Sequence, residues 1–319
     1  MTIEFPKFLT IPSTGDQIPI IGFGSGTKWQ HKKKGRGEEA KGTLDEDLIA
    51  VLVEALNHGF VHLDTAEIYT TRAEIGEALK RSGKKRDEVW ITDKYAHTSV
   101  YPGTTKRRGP YDSLVEGLKT LGVDSVDLFL IHTQKLDLEA YPIDYYWGEL
   151  EKLYNEGLAK NIGISNFDTE HLELIYKIAK IKPAVIQLEF HPYLQQQSPG
   201  IFEYLKDKNI LVEAYGPLIP LTKAKPGPLD DVLTALSKKY NASETQILLR
   251  WVQQQGIVTV TTSSNPKRMD DIMDSFNLTL SDEDVELIRE TGKKKFFRGF
   301  IPDPFAKYDD ALKAELNLN

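Results

Sequence analysis

The sequence predicts a (β/α)8 barrel, and three observations carry that prediction. Eight short runs of consecutive apolar residues recur along the chain, helix-length amphipathic stretches separate them, and polar side chains stand where the runs end. The runs are IIGFG (20–24), FVHL (60–63), EVWIT (88–92), VDLFLI (126–131), KNIGI (160–164), AVIQL (184–188), ILVEA (210–214) and IVTV (257–260). Strands that are apolar on consecutive positions are buried on both faces, and strands joined through helices run parallel. Eight such units close a barrel. An open doubly wound sheet is the alternative, but it would bring a glycine fingerprint, and GFGSGTKW lacks the third glycine at the needed offset.

Taken in order, FLTIPSTGDQIPIIGFG opens as two short strands around Ser13-Thr14-Gly15-Asp16, a hairpin ahead of the barrel. HKKKGRGEEAKG (31–42) reads as a polar insertion in which Lys32, Lys33, Lys34 and Arg36 form a solvated loop. Thr43 with Glu46 makes a capping box, Leu48, Ile49, Leu52, Ala55 and Leu56 supply a helical face, and Gly59 stops that helix before FVHL. SLVEGLKTL, YYWGELEKLYNEG and EHLELIYKIAK are further helices, and Trp147 and Trp251 are helix-borne core. YAHTSVYPGTTKRRGP (95–110) and the proline-rich PLIPLTKAKPGP (217–228) join the insertion on the side of the strand C-termini. The expectation is a single domain, 1–319, with a C-terminal loop and helix extension.

Composition excludes several classes of function. With 319 residues, 40% hydrophobic and 27% charged, the chain has ample core for a globular protein. Forty basic against 47 acidic residues leave a formal charge of −7, which argues against nucleic acid or an anionic membrane as partner. There are no cysteines, so disulfides, thiolate metal sites and cysteine nucleophiles are excluded. The N-terminus has no signal-peptide pattern and no run reaches about 18 apolar residues, so the expectation is a cytoplasmic protein, taken as a monomer, in which the sequons at Asn241 and Asn277 are silent. No metal-binding spacing occurs, and no metal is expected.

In a barrel the βα loops build the catalytic face, so polar groups at strand ends are the candidates for chemistry. FVHL runs into Asp64, Tyr69 follows in the same loop, VWIT runs into Asp93 and Lys94, and VDLFLI runs into His132. Alone, each is as easily a cap, a loop aromatic or a solvated end. Together they suit carbonyl reduction, in which the oxygen left by hydride addition must be protonated. A phenol, with a free pKa of about 10, is a suitable acid only if that value is brought down. A Lys94 ammonium would do so, Asp64 would keep that ammonium charged despite burial, and His132 would orient the carbonyl oxygen by donating a hydrogen bond. Ser165, Asn166, Gln187, Tyr215, Thr262, Ser263 and Ser264 stand at the later strand ends. Pro266 suits a first helical position, so SSNPKRMDDI would present a helix N-terminus, hydroxyls and the Arg268 guanidinium together as a phosphate site.

DTAEIY (64–69) with Glu74 and Gly76 behind it, Lys94, His132, GISNF (163–167), VIQLEFHPY (185–193) and EAYGPL (213–218) together resemble the aldo-keto reductases. They stand in that family's order, each at the matching strand end, across essentially the whole chain. VTTSSNPKR (260–268), ITDKY and LEFHPYLQQQSPGI are similar to fungal members that reduce α-dicarbonyl compounds, among them conjugated polyketones, keto lactones and α-keto amides. The resemblance implies NADPH as cofactor, a small-molecule carbonyl substrate and Tyr69 as proton donor. It also implies that Ser165, Asn166 and Gln187 bond the carboxamide, that Tyr215 stacks on the nicotinamide and that the pro-R hydrogen is transferred. Gly26, Thr27, Gly216, Leu218, Thr262, Ser263 and Ser264 complete the implied cofactor site.

The chain departs from the family at the eighth strand. Where Ile-Pro-Lys-Ser is usual, Val260, Thr261, Thr262 and Ser263 stand, and Ile272 replaces a common adenine-contacting asparagine. Arg268 is left as the 2′-phosphate partner. Trp29, Tyr95 and Thr133, with Phe296, Phe297 and Phe300 from the tail, are candidates for the substrate pocket, although core packing would explain each aromatic as well. Thr133 replaces a common tryptophan and implies a roomier pocket. Two other classes stay open: a cofactor-binding redox sensor like potassium-channel β subunits, and a Schiff-base aldolase using Lys94.

Overall fold

The computed structural model describes residues 7–35, 42–97 and 109–318. Two strands, β1 (Phe8–Thr10) and β2 (Gln17–Pro19), pair antiparallel ahead of the barrel. Eight more follow: β3 (Ile21–Gly24), β4 (His62–Asp64), β5 (Trp90–Tyr95), β6 (Val126–Ile131), β7 (Ala159–Ser165), β8 (Val185–Glu189), β9 (Leu211–Tyr215) and β10 (Val258–Thr261). They close in the order β10-β3-β4-β5-β6-β7-β8-β9, all neighbours parallel. Each predicted run overlaps its strand.

The helices alternate with them: α1 (Lys28–Lys34), α2 (Glu46–Asn57), α3 (Arg72–Ser82), α4 (Pro110–Leu121), α5 (Ile143–Asn155), α6 (Thr169–Ile178), α7 (Ile201–Asp207), α8 (Ile219–Thr222), α9 (Asp230–Tyr240) and α10 (Glu244–Gln253). After β10 come α11 (Pro266–Met273), α12 (Asp282–Gly292) and α13 (Pro302–Glu315). Trp147 on α5 and Trp251 on α10 are both buried. Gly76 lets α3 close on α4, since a Cβ there would lie 2.3 Å from the Leu121 carbonyl oxygen. Among the described residues no helix is long and apolar enough to cross a membrane.

Two expectations about the segment after β3 are corrected. The N-cap of α2 is Asp45, whose carboxylate accepts from Leu48 N–H at 3.2 Å, and not Thr43. The lysines before it are not a solvated loop: Lys28–Lys34 is helical, and Lys33 is buried with its ammonium 2.6 Å from Glu74 Oε1. Glu74 is fully buried on α3 and also accepts from Asp45 N–H at 2.9 Å, so one carboxylate ties together α1, the start of α2 and α3. Removing one partner of a buried ion pair typically costs about 3 to 5 kcal/mol, which makes this a strong anchor. Arg36, with the rest of 36–41, and residues 98–108 of the second predicted loop lie outside the described residues. The proline-rich segment 217–228 contains α8, where loop alone was expected.

The barrel interior changes character from bottom to top. Ile11 and Ile18 of the hairpin cluster with Trp90, Val185 and Val258, the first residues of their strands, and with Leu128 and Leu130, and plug that end with apolar surface. Higher up the fill is polar: His62, Thr92 and Glu213 are buried, and Asp64, Lys94 and Gln187 lie at the strand C-termini. Polar groups inside a barrel are tolerable only when they bond to one another. Glu189, the last residue of β8, accepts from the Gly299 and Phe300 N–H groups at 2.6 and 2.9 Å, which holds the tail between α12 and α13 across the mouth.

Candidate active site

The first four candidates converge. Asp64 ends β4, and the 3-10 turn Glu67–Tyr69 that follows brings the Tyr69 ring back over the barrel. Gly26 makes room for it, because a Cβ there would lie 2.8 Å from the Tyr69 ring. Lys94, fully buried on β5, donates to Asp64 Oδ2 at 2.6 Å and to the Thr65 carbonyl at 2.9 Å. Its ammonium lies 5.2 Å from the centre of the Tyr69 ring. His132, just past β6, sets Nε2 3.4 Å from the Tyr69 hydroxyl. Four strand-end residues thus meet within hydrogen-bonding or ion-pairing reach.

Burial opposes charge on Lys94, but the carboxylate of Asp64, then Tyr69, overcomes it and holds the ammonium above its ordinary range. A protonated amine with two hydrogen bonds has no lone pair to offer a carbonyl carbon, which disfavours the Schiff-base alternative. Burial, helped by the charges of Lys94 and Lys34, pushes His132 well below its usual value, so its imidazole is neutral.

Beneath this group lies a second buried layer. His62 donates to or accepts from Thr92 Oγ1 at 2.9 Å and sits 3.4 Å from Glu213 Oε1. Burial lowers His62 to about 4. Burial, with the Asp64 charge next, pushes Glu213 up to about 8. A carboxyl raised on folding adds stability that is fully present at acid pH and is lost as pH climbs through its folded value. The urea midpoint of the wild type should therefore fall relative to Glu213→Gln between roughly pH 5 and 8 and run parallel to it above that, and a difference independent of pH would contradict the raised carboxyl.

Next to the catalytic candidates, Ser165, Asn166, Gln187 and Tyr215 form a chain of bonds. Tyr215 donates to Asn166 Oδ1 at 2.7 Å, and Asn166 Nδ2 donates to Ser165 Oγ at 2.9 Å and to the His132 carbonyl at 3.0 Å. Gln187 Nε2 donates to Asp64 Oδ2 at 2.9 Å. Asn166 does not cap α6; Asp168 does. Phe300 from the tail meets Tyr215 edge to face at 5.7 Å.

These groups border an open cavity of about 1010 Å³. Of the predicted site residues, Gly26, Thr27, Asp64, Tyr69, His132, Asn166, Gln187, Tyr215, Gly216, Leu218, Thr262 and Phe300 line it. Four of the seven non-glycine residues with positive φ among the described residues, Thr27, Thr70, Asn166 and Ile301, also line it. Backbone strain costs of order 1–3 kcal/mol per residue and persists where surrounding structure enforces it, so its concentration here marks the cavity as the built site.

Other candidates fall elsewhere. Trp29 is buried and donates its indole N–H to Thr262 Oγ1 at 3.2 Å, Tyr95 packs on Tyr146 with ring centres 6.1 Å apart, and Thr133 is buried beside His132. None of the three lines the cavity. Phe296 borders a smaller cleft with Arg289 and Leu312, and Phe297 packs on the core. Ser263, Ser264 and Arg268 lie around the start of α11, where Pro266 takes the first turn and Asn265 the cap.

Sequence reasoning missed Lys28. Its ammonium donates to Ser264 Oγ at 3.0 Å, and after burial it is the nearby Arg268 charge that lowers its pKa. Two cations thus share the end of the cleft where the usual family lysine is missing. A phosphate would relieve their repulsion, and Asn166, Gln187 and Tyr215 give the other end amide and phenol groups, so the residues present fit a phosphorylated dinucleotide. Lys34 was also missed. Neither follows from periodicity, because a seven-residue helix ahead of Gly35 leaves too short a pattern to read.

The pattern of the Aldo/keto reductase family matches residues 21–293. The chain is 41% identical over 294 residues to an NADPH-dependent alpha-keto amide reductase of Saccharomyces cerevisiae, covering 90% of this chain and 91% of that one. It is 33% identical over 295 residues to an NAD/NADP-dependent indole-3-acetaldehyde reductase of Schizosaccharomyces pombe, covering 92% and 98%. Among solved structures, an aldo/keto reductase from Brucella melitensis superposes with a TM-score of 0.74 at 30% identity, covering 90% of this chain and 99% of that one.

Proposed function

Because the chain belongs to the Aldo/keto reductase family, we propose that it is an NADPH-dependent carbonyl reductase acting on vicinal dicarbonyl compounds, such as conjugated polyketones, ketopantoyl lactone or α-keto amides and esters. The observation that carries this reading is the buried Lys94–Asp64 pair set under Tyr69, with neutral His132 on the other side of the phenol. A reduced nicotinamide, when bound, supplies the hydride. The chain's own groups manage the oxygen. His132 donates to the carbonyl oxygen and fixes its direction, and Tyr69 passes its proton to that oxygen as negative charge builds there. The Lys94 ammonium stabilises the phenolate left behind, which regains a proton from water, and the product is the alcohol. Asn166, Ser165 and Gln187 are placed to hold the carboxamide and Tyr215 to cover one ring face. Support for the dicarbonyl class comes from the name of the yeast relative.

A rate panel with NADPH and NADH against isatin, ketopantoyl lactone, an α-keto ester and an aldose tests this directly. Sustained NADPH-dependent reduction of the first three, with the aldose slow, is the expected outcome. Cofactor binding with no turnover of any of them would overturn it in favour of a redox sensor.

For the cofactor, we assign the 2′-phosphate to Arg268 and Lys28 together. A charge-assisted hydrogen bond contributes about 1.5 to 3 kcal/mol, so Arg268→Ala should weaken NADPH binding by roughly 10-fold to 150-fold. Lys28→Ala should weaken it by a smaller factor, because its bond to Ser264 holds it partly in place already. NADH, lacking the phosphate, should bind the variants as it binds the wild type. Fluorescence titration measures all of these, and an equal loss for both cofactors would show that the two cations support the loop and do not read the phosphate.

A further inference from the structure

Inside the barrel, one layer below the Lys94–Asp64 pair, lies a carboxyl that the reaction as described does not use. Glu213 on β9 is fully buried, and its Oε1 is 3.4 Å from His62 Nε2. His62 stands two residues before Asp64 on β4, and Thr92 two before Lys94 on β5, so each lies beneath one member of that pair. Gln187 joins the two layers. It is the register partner of Glu213 on β8, and its Nε2 donates to Asp64 Oδ2 at 2.9 Å.

The hydrogen positions of this lower layer follow from what each partner can do. His62 Nδ1 lies 3.4 Å from the Pro19 carbonyl oxygen, which can only accept, and that contact assigns the ring hydrogen to Nδ1. Burial lowers His62 to about 4, so at neutral pH the ring is uncharged and Nε2 is a bare acceptor. Thr92 Oγ1, 2.9 Å from Nε2, accepts from the Trp90 indole N–H at 3.1 Å and has its own hydrogen to give. A carboxylate oxygen set against the same lone pair would be repelled by it. A carboxyl that keeps its proton is not, and burial, with the Asp64 charge next, acts in the same direction. The charged groups above it, Asp64 of β4 and Lys94 of β5, are bonded to each other at 2.6 Å, with Tyr69 and His132 over them. Glu189 of β8 is engaged by the tail, β10 sets apolar Val258 opposite Glu213, and Asp127 of β6, whose charge reaches His62, is held by Arg86 and Lys160.

We propose that Glu213 is a positioning residue for the reaction: by holding a proton at neutral pH it keeps a second negative charge away from the Lys94 ammonium, which leaves that ammonium to favour the Tyr69 phenolate. This rests on the carbonyl-reductase reading above and adds to it a residue that touches neither substrate nor cofactor. When Glu213 gives its proton to solvent, the new charge opposes the phenolate, and Tyr69 becomes a weaker acid. Two strand residues span about 7 Å, and a unit charge acting over one to two such layers at an effective dielectric constant near 20 changes an ionisation constant by about 10-fold.

The test uses Glu213→Gln, which fixes the neutral form at nearly the same shape, and reads two quantities. Tyr69 ionisation is taken from tyrosinate absorbance, as the difference between each protein and the same protein carrying Tyr69→Phe. It should come about one pH unit lower in Glu213→Gln than in the wild type, a 10-fold change. The second quantity is kcat/KM for diacetyl, a neutral substrate, from roughly pH 6 to 9.5, each profile normalised to its own value at the acid end. The wild type should step down by about 3-fold to 10-fold near pH 8, where Glu213 titrates, before its final loss, and Glu213→Gln should show the final loss alone. Glu213→Leu, which also carries no charge there, should lack the step too and stands in if the amide packs badly. Profiles of one shape overturn the proposal, because a merely structural role would change the rate by a constant factor at every pH. A Tyr69 ionisation that does not move in a working enzyme sinks this proposal alone, whereas a wild type that binds NADPH and reduces no carbonyl sinks the carbonyl-reductase reading.

Discussion

Tyr69→Phe should lower the rate of carbonyl reduction by about two to four orders of magnitude, the usual worth of a positioned acid, while NADPH binds as before. The substitution removes one oxygen and leaves the ring, which is what fits against Gly26. His132 loses a neighbour at 3.4 Å but keeps its backbone position past β6. The cofactor groups Asn166, Gln187 and Tyr215 do not contact the phenol oxygen, so binding and turnover should separate cleanly. Turnover with isatin and fluorescence titration of NADPH, made on one preparation, measure the two. Wild-type rates in the variant would remove Tyr69 from the mechanism, and loss of NADPH binding would mean that the fold was damaged.

Lys94→Met should abolish reduction across the accessible pH range. The ammonium 5.2 Å from the Tyr69 ring centre is the nearby positive charge that favours the phenolate, and without it the phenol returns toward its free value of about 10. The variant also leaves Asp64 buried without its cation, and stranding one member of a buried pair typically costs about 3 to 5 kcal/mol. A thermal melt must therefore accompany the kinetics. The double variant Lys94→Met, Asp64→Asn removes both charges and should recover much of the stability but none of the activity. Asp64→Asn alone, which keeps the ammonium, should be milder than Lys94→Met in rate. Activity near neutral pH in a folded Lys94→Met protein would contradict the role given to the lysine.

The barrel was readable because each strand is apolar on consecutive positions and each run ends in a polar group, and both features are local. The convergence of Asp64, Tyr69, Lys94 and His132 was readable for the same reason: the fold brings strand ends together, so naming them predicts their meeting. What could not be read depends on partners distant in sequence. Lys33 looks like any surface lysine until Glu74 is placed beside it, and Lys28 has no meaning until Ser264 arrives from the other end of the chain. The direction of Tyr95 was readable from the strand itself. Side chains alternate along a strand, so with Lys94 directed to Asp64 inside the barrel, Tyr95 had to face outward, where it meets Tyr146. The bond from the Trp29 indole N–H to the Thr262 hydroxyl is a contact that no spacing announces.

The pinning of α1 by Lys33 and Glu74 bears on how such an enzyme diversifies. The helix is held by two buried side chains, Lys33 on Glu74 and Trp29 in the core, while Gln30, His31 and Lys34 line the cavity. Changes at those three positions alter what the mouth admits and leave the barrel's folding free energy nearly untouched, because the atoms that hold the fold are different atoms. Selection, natural or in the laboratory, can therefore retune substrate preference on this one turn-and-a-half of helix by single steps, without first acquiring compensating mutations elsewhere.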